Sequence, residues 1–213
     1  MGQAISGVSA AIRLPFMLSN SKANSIECLG GYHFYIVNDN VMGGRSESSI
    51  KSMPDDSLVF SGVVDRNGGG FATCRTNPDA KPVKIPSGAV SMLIRVEGDG
   101  KEYKASLSDG TIGGPFAKSP TYFHDFKTSA GQEESINLPL CDFKPSYGGR
   151  LGRDDETPLD PSKMVQMGFA LSYLDSSCEP NESVGEDRTE FRLRIAYVRF
   201  GLAETQGGAP YVG

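Results

Sequence analysis

The sequence contains no tryptophan, only two histidines and four cysteines in 213 residues, and no long uncharged apolar run. Each shortage excludes something. A transmembrane helix needs roughly 18 consecutive apolar residues, and no segment reaches that. Cys28, Cys74, Cys141 and Cys178 lie far apart without a C-x-x-C pair, so the close ligand spacing of a zinc site is missing. These thiols read instead as reduced, mostly buried small hydrophobes. His33 and His124 have no second ligand at metal spacing, so no metal or other cofactor is expected. Basic residues are also short, 21 against 26 acidic, giving a net charge of −5. Phosphate neutralisation needs clustered Lys and Arg, so nucleic acid is not expected as a partner. No Gly-x-Ser-x-Gly elbow occurs, nothing pairs two carboxylates in a dry cleft, and no catalytic residue is assigned.

Glycine and proline are plentiful, at 26 and 13 residues. With strong helix signals nearly absent, that composition indicates a turn-rich β protein. Strands are expected at 32–37, 57–64, 71–75, 89–96, 102–108, 121–126, 134–138, 164–173 and 190–200, each stopped by turn formers. About nine or ten strands with Gly/Pro turns make an all-β antiparallel β-sandwich or barrel. Glu97-Gly-Asp-Gly100 is expected to join 89–96 and 102–108 as a hairpin, and Asp65-Arg-Asn-Gly-Gly-Gly70 to be a tight connection from 57–64 back into 71–75. Strict period-two alternation over 190–200 predicts Phe191, Leu193, Ile195 and Tyr197 on one buried face. Residues 146–163 read as a long ordered loop and the acidic stretch 174–188 as a solvated one. Asn181-Glu-Ser183 is a formal glycosylation sequon, read as inert without a signal peptide.

The chain divides into an N-terminal arm (1–25), a sandwich domain (26–201) and a flexible tail (202–213). The arm carries no acidic residue before Glu27 and only Arg13 and Lys22 as bases. It is acid-poor and Ser-rich like a transit peptide, but it is not Arg-rich. Gly2 with Ser6 fits the N-myristoylation pattern, which would give a cytoplasmic protein one weak membrane anchor. Ile12, Leu14 and Phe16 are apolar with no partner strand, so the arm is expected to dock on a neighbouring protein or membrane surface, with residues from about Ser25 folding on their own.

Val37-Asn-Asp-Asn-Val-Met-Gly-Gly-Arg-Ser46 resembles the signature of the complex I intermediate-associated protein 30 family. The likeness continues through Phe60-Ser-Gly62, Asn67-Gly-Gly-Gly-Phe-Ala72, Arg75, Gly98-Asp-Gly-Lys-Glu-Tyr-Lys104, Leu138-Pro139, Phe143-Lys-Pro145, Gly149-Arg150 and Met167-Gly-Phe169. It spans about Tyr32 to Phe200. The resemblance implies a galactose-binding-like jelly-roll sandwich, similar to some carbohydrate-binding modules. It also implies a non-enzymatic assembly factor or scaffold, best known for mitochondrial respiratory complex I, with related domains in photosynthetic organisms. A mitochondrial or other organellar location, peripheral to a membrane complex, follows from it. The family commonly has a Trp before the Asn-Asp pair; here Phe34 or Tyr35 stands in. The acidic stretch near Glu179 to Asp187 looks like an insertion.

The densest polar and glycine cluster is Asn38, Asp39, Met42, Gly43, Gly44, Arg45 and Ser46. It reads either as a rigid loop presenting Asp39 and Arg45 to a protein partner, or as an Asx-type turn that caps its own amides while Met42 plugs the core. Asn38, Asp39, Met42, Arg45 and Ser46, with Arg75 and the arm's Ile12, Leu14 and Phe16, are the candidate partner-binding positions. A carbohydrate ligand is the alternative, with Asp99 and Lys101 beside the ring of Tyr103, on a face that exposed aromatics such as Tyr103 or Tyr122 would line. The plainer reading of Gly98-Asp-Gly100 is only the hairpin turn. Asn67-Gly-Gly-Gly70 lacks the Lys-Ser/Thr and the helix of a phosphate loop.

Overall fold

The computed structural model describes residues 25–111, 119–148, 150–151 and 157–202. The candidate residues Gly2, Ile12, Leu14 and Phe16, and the tail from 203, lie outside the described residues. Thirteen strands and three short 3-10 turns are formed among the described residues. The strands are β1 (Ile26–Cys28), β2 (Tyr32–Asn38), β3 (Glu47–Ser52), β4 (Leu58–Asp65), β5 (Phe71–Thr76), β6 (Ala89–Glu97) and β7 (Glu102–Ser108), followed by β8 (Thr121–Lys127), β9 (Glu133–Pro139), β10 (Lys144–Tyr147), β11 (Arg150–Leu151), β12 (Gln166–Ser172) and β13 (Arg188–Leu202). They build an eight-stranded sheet, β1-β2-β5-β12-β7-β8-β10-β11, and a five-stranded one, β3-β4-β13-β6-β9. All the pairings within these sheets are antiparallel.

All nine expected strands are present. The four added ones, β1, β3, β10 and β11, are short or polar pieces without a legible period. β3 reads Glu-Ser-Ser-Ile-Lys-Ser and buries only Ile50. It is held by the backbone ladder to β4, not by apolar alternation.

The sheets pack their inner faces together. Leu58, Phe60, Met92, Ile94, Leu193 and Ile195 come from the five-stranded sheet, and Phe34, Cys74, Leu107, Met167, Phe169 and Leu171 from the other, all essentially inaccessible. Aromatic rings cross the interface in a chain. Phe60 meets Phe191 edge-on at 4.8 Å, Phe191 meets Tyr103 at 6.4 Å, and Tyr103 stacks on Phe126 at 6.0 Å. Such geometries add to the area term for rings of this size. Phe34, not Tyr35, takes the buried position ahead of Asn38; Tyr35 lies on the outer face. Burial pushes the Cys28 thiol up to about 12, and Cys74 is raised by the same cause.

One expected connection is corrected. β6 and β7 do not pair: β6 lies between β13 and β9, and β7 between β12 and β8. The Gly98–Gly100 turn is therefore an arch that carries the chain from one sheet to the other. The turn after β4 is a second arch, since β4 and β5 also lie in different sheets. Gly-rich turns permit either outcome, and the choice falls to which faces must be buried. In β13 the alternation is broken by a bulge between Ile195 and Tyr197. Beyond it Val198 and Phe200 turn toward the core, and Tyr197 carries the Arg199 guanidinium over its ring at 4.6 Å.

The acidic stretch after β12 is an ordered strap. The Ser176 amide and hydroxyl donate to the Asp125 carboxylate, Lys144 Nζ donates to Ser177 Oγ at 2.6 Å, and Leu174 bridges Pro180. Asn181 is buried. Its side-chain amide donates to Glu102 O and Ser172 O, and its oxygen accepts from Ser183. A glycan cannot be carried there without unmaking the strap.

On the outer face of the five-stranded sheet, Arg194 joins Asp55 and Glu133, and Arg95 pairs with Glu133 at 2.6 Å. Hydrogen bonds from Ser57 and then Arg194 hold the Asp55 carboxyl down at about 2, and Arg95 lowers Glu133. A depressed carboxyl contributes stability above its unfolded value, about 4, and loses it as pH falls through the folded value. Unfolding measured from pH 5 to pH 2 is expected to show stability declining across that window. In Arg194→Met the decline should be shallower. An unchanged slope in that variant would contradict the assignment.

Candidate functional site

The signature loop is built from below by one carboxylate. Asp39 opens a 3-10 turn, Asp39–Met42, and is fully buried. Its oxygens accept from the Ser46 amide (2.9 Å) and hydroxyl (2.6 Å), the Gly70 amide (2.6 Å) and the Phe71 amide (3.3 Å). The β2–β3 loop is thereby pinned to the β4–β5 arch. A Cβ on Gly44 or Gly69 would overlap the Asp39 side chain, so these glycines are needed for close approach. Ser46 Oγ also accepts from the Asp65 amide at 3.0 Å, and Asn38 Oδ1 accepts from Ser48 Oγ at 2.7 Å. Asp65 is in turn lowered, first by the Asn67 amide, with Arg45 adding a smaller electrostatic contribution.

This placement divides the sequence candidates. Asp39, Asn38 and Ser46 are internal and hold the loop; Asp39 is not presented to a partner. Met42 does not plug the core: it is 69% exposed and its neighbour Val41 is 66% exposed. Arg45 is exposed beside them. On the adjoining arch Arg66 covers the Tyr173 ring at 5.2 Å. Val41 was missed as a candidate because a lone valine in a polar motif carries no sequence signal; only the turn geometry puts it outside.

The residues named for a carbohydrate are consumed internally. Tyr103 is inaccessible, and its hydroxyl donates to Asp99 Oδ1 at 2.8 Å. Asp99 also accepts from Lys101 Nζ (2.9 Å) and the Arg192 amide (2.9 Å). Burial opposes the Asp99 charge, but these bonds lower its pKa overall, and burial raises that of Tyr103. Tyr122 is buried as well, its hydroxyl donating to Pro158 O. Neither tyrosine offers a ring face to a sugar.

Arg75 stands apart from both groups, on the outer face of the eight-stranded sheet. Backbone register sets Tyr35, Arg75, Gly168, Ser106 and Phe123 in one row across β2, β5, β12, β7 and β8. The next row runs Val37, Thr73, Ala170, Lys104 and Asp125. Lys104 Nζ lies 5.4 Å from the Phe123 ring centroid, and Asp125 and Asp175 supply opposing charge. Among the described residues, no three His, Cys, Asp or Glu side chains gather as a metal would require, and no helix is long and apolar enough to cross a membrane.

These features define a two-sheet jelly-roll sandwich whose glycine-rich loops are locked by buried polar contacts. The model of the family described as complex I intermediate-associated protein 30 matches residues 29–195, and the chain belongs to that family. Among solved structures, the fold is similar to a family 11 carbohydrate-binding module from Clostridium thermocellum, in complex with a β-1,3-1,4-mixed-linked tetrasaccharide. That likeness has a TM-score of 0.53 at 10% identity and covers 84% of this chain and 95% of the other. A family 11 module of a cellulosomal cellulase from the same organism aligns with a TM-score of 0.48 at 11% identity, covering 81% and 92%. No curated protein matches the chain.

Proposed function

We propose that this chain is a non-enzymatic protein-binding module that serves as an assembly factor or scaffold subunit of a large multiprotein complex. The family's name points to respiratory complex I; a photosynthetic or other organellar complex fits the same reading. The observation that carries it is the tip of the signature loop. Val41 and Met42 are largely exposed, yet the turn beneath them is fixed by the buried Asp39 carboxylate. An apolar pair on a rigid base loses little entropy on docking. The arm residues Ile12, Leu14 and Phe16 are proposed as a second apolar docking segment.

Val41→Ser with Met42→Ser tests the tip. Each large side chain contributes roughly 1.5–3 kcal/mol when fully buried, so the double variant should weaken partner affinity at least about tenfold. Thermal stability should stay within about 0.5 kcal/mol, as for ordinary surface changes. Quantitative affinity purification from the native source, with protein identification, measures both chains side by side. Equal recovery of the same proteins by the variant, or a lone monomer from the wild type, would overturn the reading.

A second reading, carbohydrate binding, is favoured by one feature: the hydroxyl-bearing and aromatic row Tyr35–Arg75–Gly168–Ser106–Phe123 on the outer sheet face. It replaces the Asp99–Lys101–Tyr103 cluster as the place where a sugar would lie. Calorimetric titration with oligosaccharides tests it.

A further inference from the structure

Arg75 is a half-buried cation with no counter-charge among the described residues. Its register partners on the outer face are Tyr35 of β2 and Gly168 of β12. A Cβ on Gly168 would lie 2.9 Å from Ser106 Oγ and 3.1 Å from Arg75 Cγ. The arginine stem therefore rests over the bare backbone of Gly168, on the side facing Ser106 of β7. Among the described residues, no hydrogen bond or ion pair holds the guanidinium. The groups that act on its charge are burial, which lowers its pKa, then Tyr35 and Cys74, and neither of these is a carboxylate.

Among the described residues, the partly buried cations Lys101 and Arg194 meet carboxylates, Asp99 for the first and Asp55 and Glu133 for the second, and Lys144 has a hydroxyl acceptor in Ser177. A guanidinium withdrawn from water without an acceptor is costly, and a planar carboxylate is the acceptor its fork fits best. Two hydroxyls lie in the same row. The Tyr35 hydroxyl accepts from Gln166 Nε2 at 3.1 Å, which leaves its own proton to donate elsewhere. The Ser106 hydroxyl makes no hydrogen bond among the described residues.

We propose that this row is a binding site for an acidic saccharide, with the carboxylate of a uronic acid unit on Arg75 and a ring hydroxyl on Tyr35. The proposal rests on the carbohydrate reading and adds the charge of the sugar. An acidic peptide suits the site less well. Peptides commonly add to a free sheet edge or fill an apolar groove, whereas β5, β12 and β7 are each paired on both sides and the row is polar.

Calorimetric titration of the full chain at low salt uses three probes: tri-galacturonate, a neutral mixed-linked glucan tetrasaccharide and hexaglutamate. Tri-galacturonate should bind at least about tenfold more tightly than either of the others. Arg75→Met keeps the stem over Gly168 and should weaken that binding at least tenfold, while Arg75→Lys should restore part of it. If Arg75→Met fails to fold, Tyr35→Phe supplies the test and is expected to weaken binding several-fold at an unchanged thermal midpoint. Equal affinity for acidic and neutral sugars would overturn the charge assignment and leave the carbohydrate reading standing. Binding of neither sugar would overturn both. Hexaglutamate bound as tightly as the saccharide, or acidic binding untouched by every variant, would overturn the site.

Discussion

Asp39→Ala is expected to be among the most destabilising single changes in this chain, costing on the order of 4 kcal/mol. The carboxylate accepts four hydrogen bonds, three from backbone amides of Ser46, Gly70 and Phe71. Removing it strands those donors in a closed site, and an unsatisfied buried donor costs roughly 1–3 kcal/mol. For a chain of this length each kcal/mol lowers the midpoint by about 2–4 °C, so a fall of about 10 °C is expected. Asp39→Asn keeps the shape and one acceptor oxygen and should lose less. Urea and thermal unfolding of the two variants beside the wild type measure this. A loss under about 1 kcal/mol for Asp39→Ala would mean that water replaces the clamp and that the loop is not held as described.

Gly62→Ala should be comparably severe for a different reason. Gly62 lies in β4 between Ser48 of β3 and Phe191 of β13. A Cβ there would overlap the Glu47 carbonyl oxygen and sit 2.7 Å from Ser48 Cα. These are backbone atoms and cannot rotate away, so β3 must move. Overpacking of this kind costs typically about 1–3 kcal/mol and more where the obstacle is rigid. Because β3 is an edge strand with a single buried side chain, the damage should concentrate there. Hydrogen exchange of the Glu47–Ser52 amides should accelerate far more than that of β6 or β12. Uniform acceleration would indicate global destabilisation, and unchanged exchange would show that the edge accommodates the methyl group.

Both residues stand in blocks whose resemblance to the family was legible without coordinates, yet the reason for each was not. Asn38-Asp39 and Gly43-Gly44 read either as a loop that faces a partner or as a turn that caps its own amides. In the folded chain Asp39 faces inward, because two of the amides that donate to it belong to Gly70 and Phe71, about thirty positions away. Arg75 and Gly168 were legible only as separate block members. Their relation, a stem laid over a missing side chain, exists only because β5 and β12 are neighbours in the sheet. Tyr103 failed as a sugar platform because alternation in 102–108 gives the two faces but not which of them meets the second sheet.

By itself the sequence determined the all-β class, the positions of nine strands and the family. These follow from short-range causes: β-branched and aromatic runs, Gly and Pro punctuation, and ordered motifs. The tertiary structure alone decided which strands share a sheet, turning the expected β6–β7 hairpin into an arch. It also decided where the β13 bulge turns Val198 and Phe200 inward, and that Val41 and Met42 point outward while Asp39 is sealed. Those outcomes depend on which apolar faces and buried polar groups can be satisfied together. That is a property of contacts between distant segments, which no local pattern encodes.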